Sequence, residues 1–327
     1  MATDKNKSTE PLNPNPKPSL DQLFRFTFDG VPVRGQWVRL GNCLDAANEH
    51  RSYDPATRII LGQMFTAAAM FADNLKFDGA VALQSSGDGR MVRSLAECRN
   101  QQFLRGVVHL DDDIQAPAPQ ASLRDWLGKS GRLAITLQPD SSTAHSENAP
   151  QSYQGLVALD HGDLKTALEH YFDVSEQLPT RIYFGGDGAS MTGLLVQKLP
   201  HEANANDMQI AQADDAWETA CAVADTVTIE ELSNYGPSDL LRRLFAEFNV
   251  RLHPGRSLHY RCTCSRSKTD GTLMLLGAKD LQQLIDEQEV IEVNCELCGA
   301  QQRYDRVDIA ALINQQTPST PGSSPLH

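Results

Sequence analysis

Four of the seven cysteines are gathered near the C-terminus as Cys262-Thr-Cys264 and Cys295-Glu-Leu-Cys298, with thirty residues between the two motifs. A tetrahedral four-thiolate zinc site needs two close pairs, each on a tight turn, with enough chain between them for the turns to face each other. Gly299, directly after the second pair, suits such a turn because glycine accepts positive φ. The expected cofactor is one Zn2+ per chain on Cys262, Cys264, Cys295 and Cys298. Four thiolates close the coordination shell and leave no position for water or substrate, which excludes hydrolysis at the metal. The site is then either a passive structural zinc or a reactive one. Two features favour reactivity: zinc holds the sulfurs as thiolates, the oxidisable form, and Arg261, Arg266 and Lys268 flank the first pair. A one-residue spacer also puts the first two sulfurs within mutual reach, and a disulfide there closes a small, strained and therefore labile ring.

Few other residues suggest chemistry. Cys43, Cys98 and Cys221 are scattered and read as buried thiols. Gly87-Asp-Gly89 and Gly185-Gly-Asp-Gly188 lack the Lys-Ser/Thr of a phosphate loop and read as hairpin turns. His253 and His259 precede the cysteine motifs, but four cysteines already complete a shell. The formal charge of −13 disfavours phosphate backbones and anionic membranes. Between residues 256 and 308 there are seven Lys/Arg against nine Asp/Glu, so a zinc-ribbon nucleic-acid-binding regulator would lack a basic stripe. A thiol–disulfide oxidoreductase using Cys295 and Cys298 would need a helix-opening pair in a βαβ setting, which the strand-like Val290–Val293 does not supply. The most apolar stretch, Ile59–Phe71, is broken by Gln63 and Thr66 and is too short for a membrane span. Met1–Ser19 has no apolar core of a secretory signal, and the expected location is cytoplasmic.

The elements that must position the cysteines follow from periodicity. Phe24, Phe26 and Phe28 alternate with Arg25 and Thr27 as a strand, with Gly30 as the turn toward Val31, Val33 and Trp37. Ile60, Met64, Ala67, Ala68 and Phe71 share one face of a helix over 56–75, and a second helix fits 162–173. Further strands fit 80–84, 103–110, 132–137, 154–159, 181–184 and 192–198. Strands that cluster with few helices between them predict an α+β fold with a mixed or antiparallel sheet. After Pro200 the chain turns helical and acidic: Thr228 with Glu231 makes a capping box, and Leu240, Leu241, Leu244, Phe245 and Phe248 form an apolar stripe. The predicted organisation is a disordered tail (1–19), an α+β domain (20–200), a helical linker (201–255), a small four-cysteine zinc module (256–313) and a second disordered tail (314–327). A module of that size has little core, and zinc is worth on the order of 10–16 kcal/mol of folding energy in small metal-binding peptides.

The run Tyr260-Arg-Cys-Thr-Cys-Ser-Arg266, the thirty-residue gap, and Cys295-Glu-Leu-Cys298-Gly299 followed by Asp308-Ile-Ala310 resemble the 33 kDa chaperonin (heat shock protein 33) family. Asp21-Gln-Leu-Phe-Arg25, Val33-Arg-Gly35, Leu75-Lys-Phe-Asp-Gly79, Arg105-Gly-Val107, Tyr153-Gln-Gly155 and Ser175-Glu-Gln-Leu-Pro-Thr-Arg181 extend the resemblance over about residues 20–313. It implies a redox-regulated holdase, not an enzyme: inactive when reduced and zinc-bound, active once oxidation pairs Cys262 with Cys264 and Cys295 with Cys298 and ejects zinc. It further implies that the linker then loses its support, that the Leu240–Phe248 stripe is offered to unfolded or partly folded client proteins, and that the oxidised form is a homodimer. The long N-terminal tail and the segment Asp140–Gln151, read as a loop insertion, depart from the family pattern.

Overall fold

The structure, a computed structural model, describes residues 21–75, 79–118, 121–139, 152–157, 159, 162–201 and 206–316. The N-terminal tail, the whole of the 140–151 insertion and residues 317–327 of the C-terminal tail lie outside these residues. Two sheets sandwich one long helix. The first sheet contains β1 (Gln22–Phe28), β2 (Val33–Leu40), β8 (Thr180–Gly186), β9 (Met191–Lys198) and β10 (Val250–Leu252) in the order β10-β1-β2-β9-β8, with β11 (Arg256–Ser257) also on β1. The second contains β3 (Gly79–Ser86), β4 (Met91–Arg99), β5 (Phe103–Leu110), β6 (Arg132–Pro139), β7 (Tyr153–Val157) and β12 (His259–Tyr260) in the order β12-β5-β4-β3-β6-β7. Every pairing is antiparallel except β12 on β5. The expected α+β class with mixed or antiparallel sheets is what the chain adopts.

Helix α2 (Pro55–Leu75) packs on β2 and β9 of one sheet and on β3, β4 and β5 of the other. A helix covered on both sides must be apolar all round, and Met64, Phe65 and Ala67–Ala72 are buried without exception. Its alanines let the sheets come close. On β9 a Cβ at Gly193 would sit 2.4 Å from Cγ2 of Thr66, so only glycine fits there. Around α2 lie α1 (Asn42–Asn48), α3 (Leu123–Leu127) and α4 (Leu164–Ser175).

The other face of the first sheet carries α5 (Asp207–Ala224), α6 (Ile229–Asn234) and α7 (Pro237–Leu244). The expected Thr228–Glu231 capping box opens α6, and a second box, Asn206–Gln209, opens α5. Ala220, Ala224, Leu232, Leu240, Leu241 and Phe245 form a second core with Phe26, Phe28, Trp37 and Leu194 of the sheet. The Phe245 ring lies edge-on to Phe28 at 5.0 Å. Burying a Leu or Phe side chain of this kind is worth roughly 1.5–3 kcal/mol.

Residues 250–260 form a strap. β10 and β11 pair with β1, and β12 pairs with β5, so this short segment is stitched to both sheets before the first cysteine. His253 and Arg256 anchor it further, through Thr27 and Asp73. Beyond it, α8 (Arg266–Met274), α9 (Ala278–Glu287), β13 (Ile291–Asn294), β14 (Gln301–Tyr304) and α10 (Arg306–Gln316) surround a small third core that includes Leu281, Ile285, Tyr304 and Ile309. α10 runs to Gln316, three residues into the segment read as a tail.

Candidate metal centre

Cys262 and Cys264 lie between β12 and α8, whose first turn is capped by Ser265 accepting from the Lys268 N–H. Cys295 follows β13 directly, and the chain turns back through Cys298 into β14. That turn is closed by Gly299 N–H donating to Cys295 O at 2.8 Å and by Cys295 N–H donating to Ala300 O at 2.9 Å. Gly299 has φ +76°, as its position in the sequence suggested, and a Cβ there would also come within 2.8 Å of His50 O. The sulfurs converge: Cys262 Sγ is 3.8 Å from Cys295 Sγ, Cys264 Sγ is 3.5 Å from Cys298 Sγ, and all four lie within 4.8 Å of one another. Zn–S bonds of about 2.3 Å in a tetrahedron require S···S edges of about 3.8 Å. The four cysteines are positioned to bind a metal ion, and an all-sulfur donor set fits zinc.

The electrostatics divide the sulfurs. Burial raises the Cys295 thiol, but backbone N–H groups of Cys298 and Leu297 and the neighbouring thiols outweigh it and bring the pKa down to about 7. The Cys264 and Cys298 thiols are pushed up, by burial first. A cation bound among the sulfurs would favour the thiolate form. Arg105, whose guanidinium is ion-paired with Glu97 at 2.8 Å, also reaches the first motif through Thr263 Oγ1 at 2.7 Å. Arg51 donates to the carbonyl oxygens of Cys295 and Glu296 in the second motif.

The cations singled out beside the first motif have structural employment. Arg261 stacks on Phe103 at 5.0 Å, Arg266 pairs with Asp308 at 2.7 Å and covers Tyr304, and Lys268 donates to Thr263 O. Arg51 from the loop between α1 and α2, Arg93 on β4 (3.8 Å from Glu296) and Arg105 on β5 also reach the motifs, and no local pattern marks them. Of the apolar stripe, Leu240, Leu241 and Phe245 are fully buried in the second core, and Leu244 and Phe248 are half-buried against it. Phe248 lies beyond the end of α7, so the stripe is one helix plus the turn after it. Cys43, Cys98 and Cys221 are buried, as expected, and burial raises all three thiols. Among the described residues no helix is long and apolar enough to cross a membrane.

The chain is similar in sequence and in fold to known proteins. A family model described as Hsp33 protein matches residues 21–305. The 33 kDa chaperonin of Shewanella denitrificans is 34% identical over 296 residues, covering 90% of this chain and 96% of the relative. That of Pseudomonas savastanoi pv. phaseolicola is 36% identical, covering 90% and 94%. The crystal structure of the 33 kDa chaperonin (heat shock protein 33 homolog) of Thermotoga maritima superposes with a TM-score of 0.73 at 21% identity, over 90% of this chain and 99% of that one, which is a likeness of fold. With both cysteine motifs, both sheets and the helical segment inside the matched range, the chain belongs to the Hsp33 family of chaperones.

Proposed function

We propose that this chain is a redox-regulated holdase that is inactive when reduced and zinc-bound. The observation that carries the reading is one of continuity: a single short strap joins the linker helices, the edges of both sheets and the first two of four convergent cysteines. Bound zinc, one per chain, supplies a cross-link between the two motifs and keeps the sulfurs as thiolates. The functional parts are the α+β domain (20–200), the linker (201–255) and the zinc module (256–313), between tails 1–19 and 314–327.

Oxidation by a peroxide pairs Cys262 with Cys264 and Cys295 with Cys298. In each pair two thiolates give up two electrons, an S–S bond of about 2.05 Å forms, and the O–O bond of hydrogen peroxide breaks, its two oxygens leaving as two waters after taking up two protons from solvent. Sulfurs already within 4.8 Å need little movement for this. Disulfides no longer provide a tetrathiolate shell, so residues 256–313 retain only their small core. The strap and linker then lose their anchorage, and Leu240, Leu241, Leu244, Phe245 and Phe248 become available to unfolded or partly folded clients. The oxidised chain acts as a homodimer in the cytoplasm, with no nucleic-acid or membrane partner, and turns over no substrate. A thiol–disulfide oxidoreductase is disfavoured because Cys295 ends a strand and does not open a helix.

The test is to record zinc content and suppression of client aggregation before and after peroxide with mild heat, with disulfides mapped by mass spectrometry. Suppression that is equal with zinc bound and after oxidation would reject the switch.

A further inference from the structure

A cavity of about 520 Å³ opens where the C-terminal turn of α2 meets the first sheet and the strap. Arg25 and Arg34 line it from β1 and β2, Asp73 from α2, and His253 and Arg256 from the strap. In a chain of formal charge −13 this is a local excess of cations: three guanidinium groups face one carboxylate. Asp73, its side chain 1% exposed, is shared by Arg25, at 2.6 and 2.7 Å, and by Arg256. Those two arginines are accounted for, since they neutralise Asp73 and the carbonyl end of α2.

Arg34 is not accounted for in the same way. It donates Nε and Nη2 to the single oxygen Oε1 of Gln197, at 3.0 and 2.6 Å, and has no carboxylate partner among the described residues. Burial first, and then the charge of Arg25, lowers its pKa, and Asp73 offsets part of this. Two buried donors beside it, Nε of Arg256 and Nδ2 of Asn74, have no hydrogen-bond partner. Unmade bonds of this kind cost about 1–3 kcal/mol each. A ligand with several acceptor oxygens and a double negative charge would balance the guanidinium excess that the single Asp73 carboxylate leaves, and the planar guanidinium fork of Arg34 matches a phosphate edge.

We propose that this cavity binds a phosphate-type oxyanion, which bridges Arg34 on β2 to Arg256 on the strap. Because one wall of the site belongs to the strap, the anion favours the docked strap by linkage. That consequence rests on the switch proposed above, whereas the binding itself does not.

Inorganic phosphate is titrated calorimetrically into the reduced, metal-loaded full-length protein, with ionic strength held constant by chloride. The expected result is saturable one-to-one binding with a Kd on the order of 1 mM or tighter. Arg34→Gln weakens it about tenfold or more, while Arg132→Gln, an arginine lining a different cavity, leaves it unchanged. If near-UV circular dichroism shows that Arg34→Gln is misfolded, Arg34→Lys, which keeps the charge and loses the fork, is expected to bind several-fold more weakly. Absence of saturable binding up to about 10 mM, or wild-type affinity in the folded Arg34 variant, overturns the site. Phosphate is also expected to slow peroxide-triggered zinc release; binding with an unchanged release rate overturns the link to the strap and leaves the proposed switch standing.

Discussion

Arg51 holds the second cysteine motif by its backbone: Nη2 donates to the carbonyl oxygen of Cys295 at 3.3 Å and to that of Glu296. The loop between α1 and α2 thus grips the metal-binding turn at a point separate from the sulfurs. A hydrogen bond from a charged group is worth about 1.5–3 kcal/mol. Arg51→Ala is expected to retain stoichiometric zinc but to release it to peroxide roughly tenfold faster, since about 1.4 kcal/mol is a factor of ten. A chromogenic chelator reads the rate, and an unchanged rate would mean that this grip does not restrain the turn.

Removing a ligand acts on the module and spares the sheets. Cys262→Ser or Cys295→Ser is expected to lose stoichiometric zinc, and chelation of the wild type should melt α8–α10 while α2 and both sheets persist. Metal analysis together with amide exchange over 262–316 against 22–110 checks this. Full zinc in either variant rejects the ligand assignment.

The second core sets the resting state of the linker. Phe245 is 1% exposed and packs edge-on against Phe28, so Phe245→Ala should cost about 3–5 kcal/mol through the cavity left behind. Because that loss falls on the linker's own anchorage, the reduced variant is expected to suppress client aggregation without oxidation. Light scattering with a heat-denatured client reads it. A destabilised but inactive reduced variant would show that this face does not hold clients.

His109 gives the reduced state a pH dependence. Burial first, and then the charges of Arg93 and Arg51, lowers its pKa below the ordinary 6.5. Between the lowered value and 6.5 the unfolded chain carries a proton that the folded chain refuses, so the His109 contribution is intact above that range and is lost as pH falls through it. Urea midpoints compared at about pH 7.5 and 5.5 should fall more for the wild type than for His109→Gln. Equal slopes would reject the assignment.

Much of this was legible in the sequence because it is local. The cysteine spacing, the Gly299 turn, the Thr228–Glu231 box and the apolar α2 each depend on neighbours within a few residues. What was missed depends on distant partners. β4 hides its alternation because Ser94 and Glu97 are buried where apolar residues would be expected, and Glu97 is tolerated only because Arg105 and Arg99 pair with it. α1 starts at Gly41 with no side chain to cap it, and Asp21 accepts its N–H groups from another part of the chain. β11 and β12 are two residues each and exist only as pairings to β1 and β5. Arg51 and Arg105 reach the cysteine motifs across sequence separations of 244 and 158 residues, beyond any local pattern.

The strap also has a protective role. β1 and β5 are the last long strands on one side of their sheets, and each would present a row of unmatched N–H and C=O groups to any other chain. β10 and β11 sheathe the rim of β1, and β12 sheathes the start of the rim of β5. One segment therefore guards two adhesive borders, and a single detachment bares both at once.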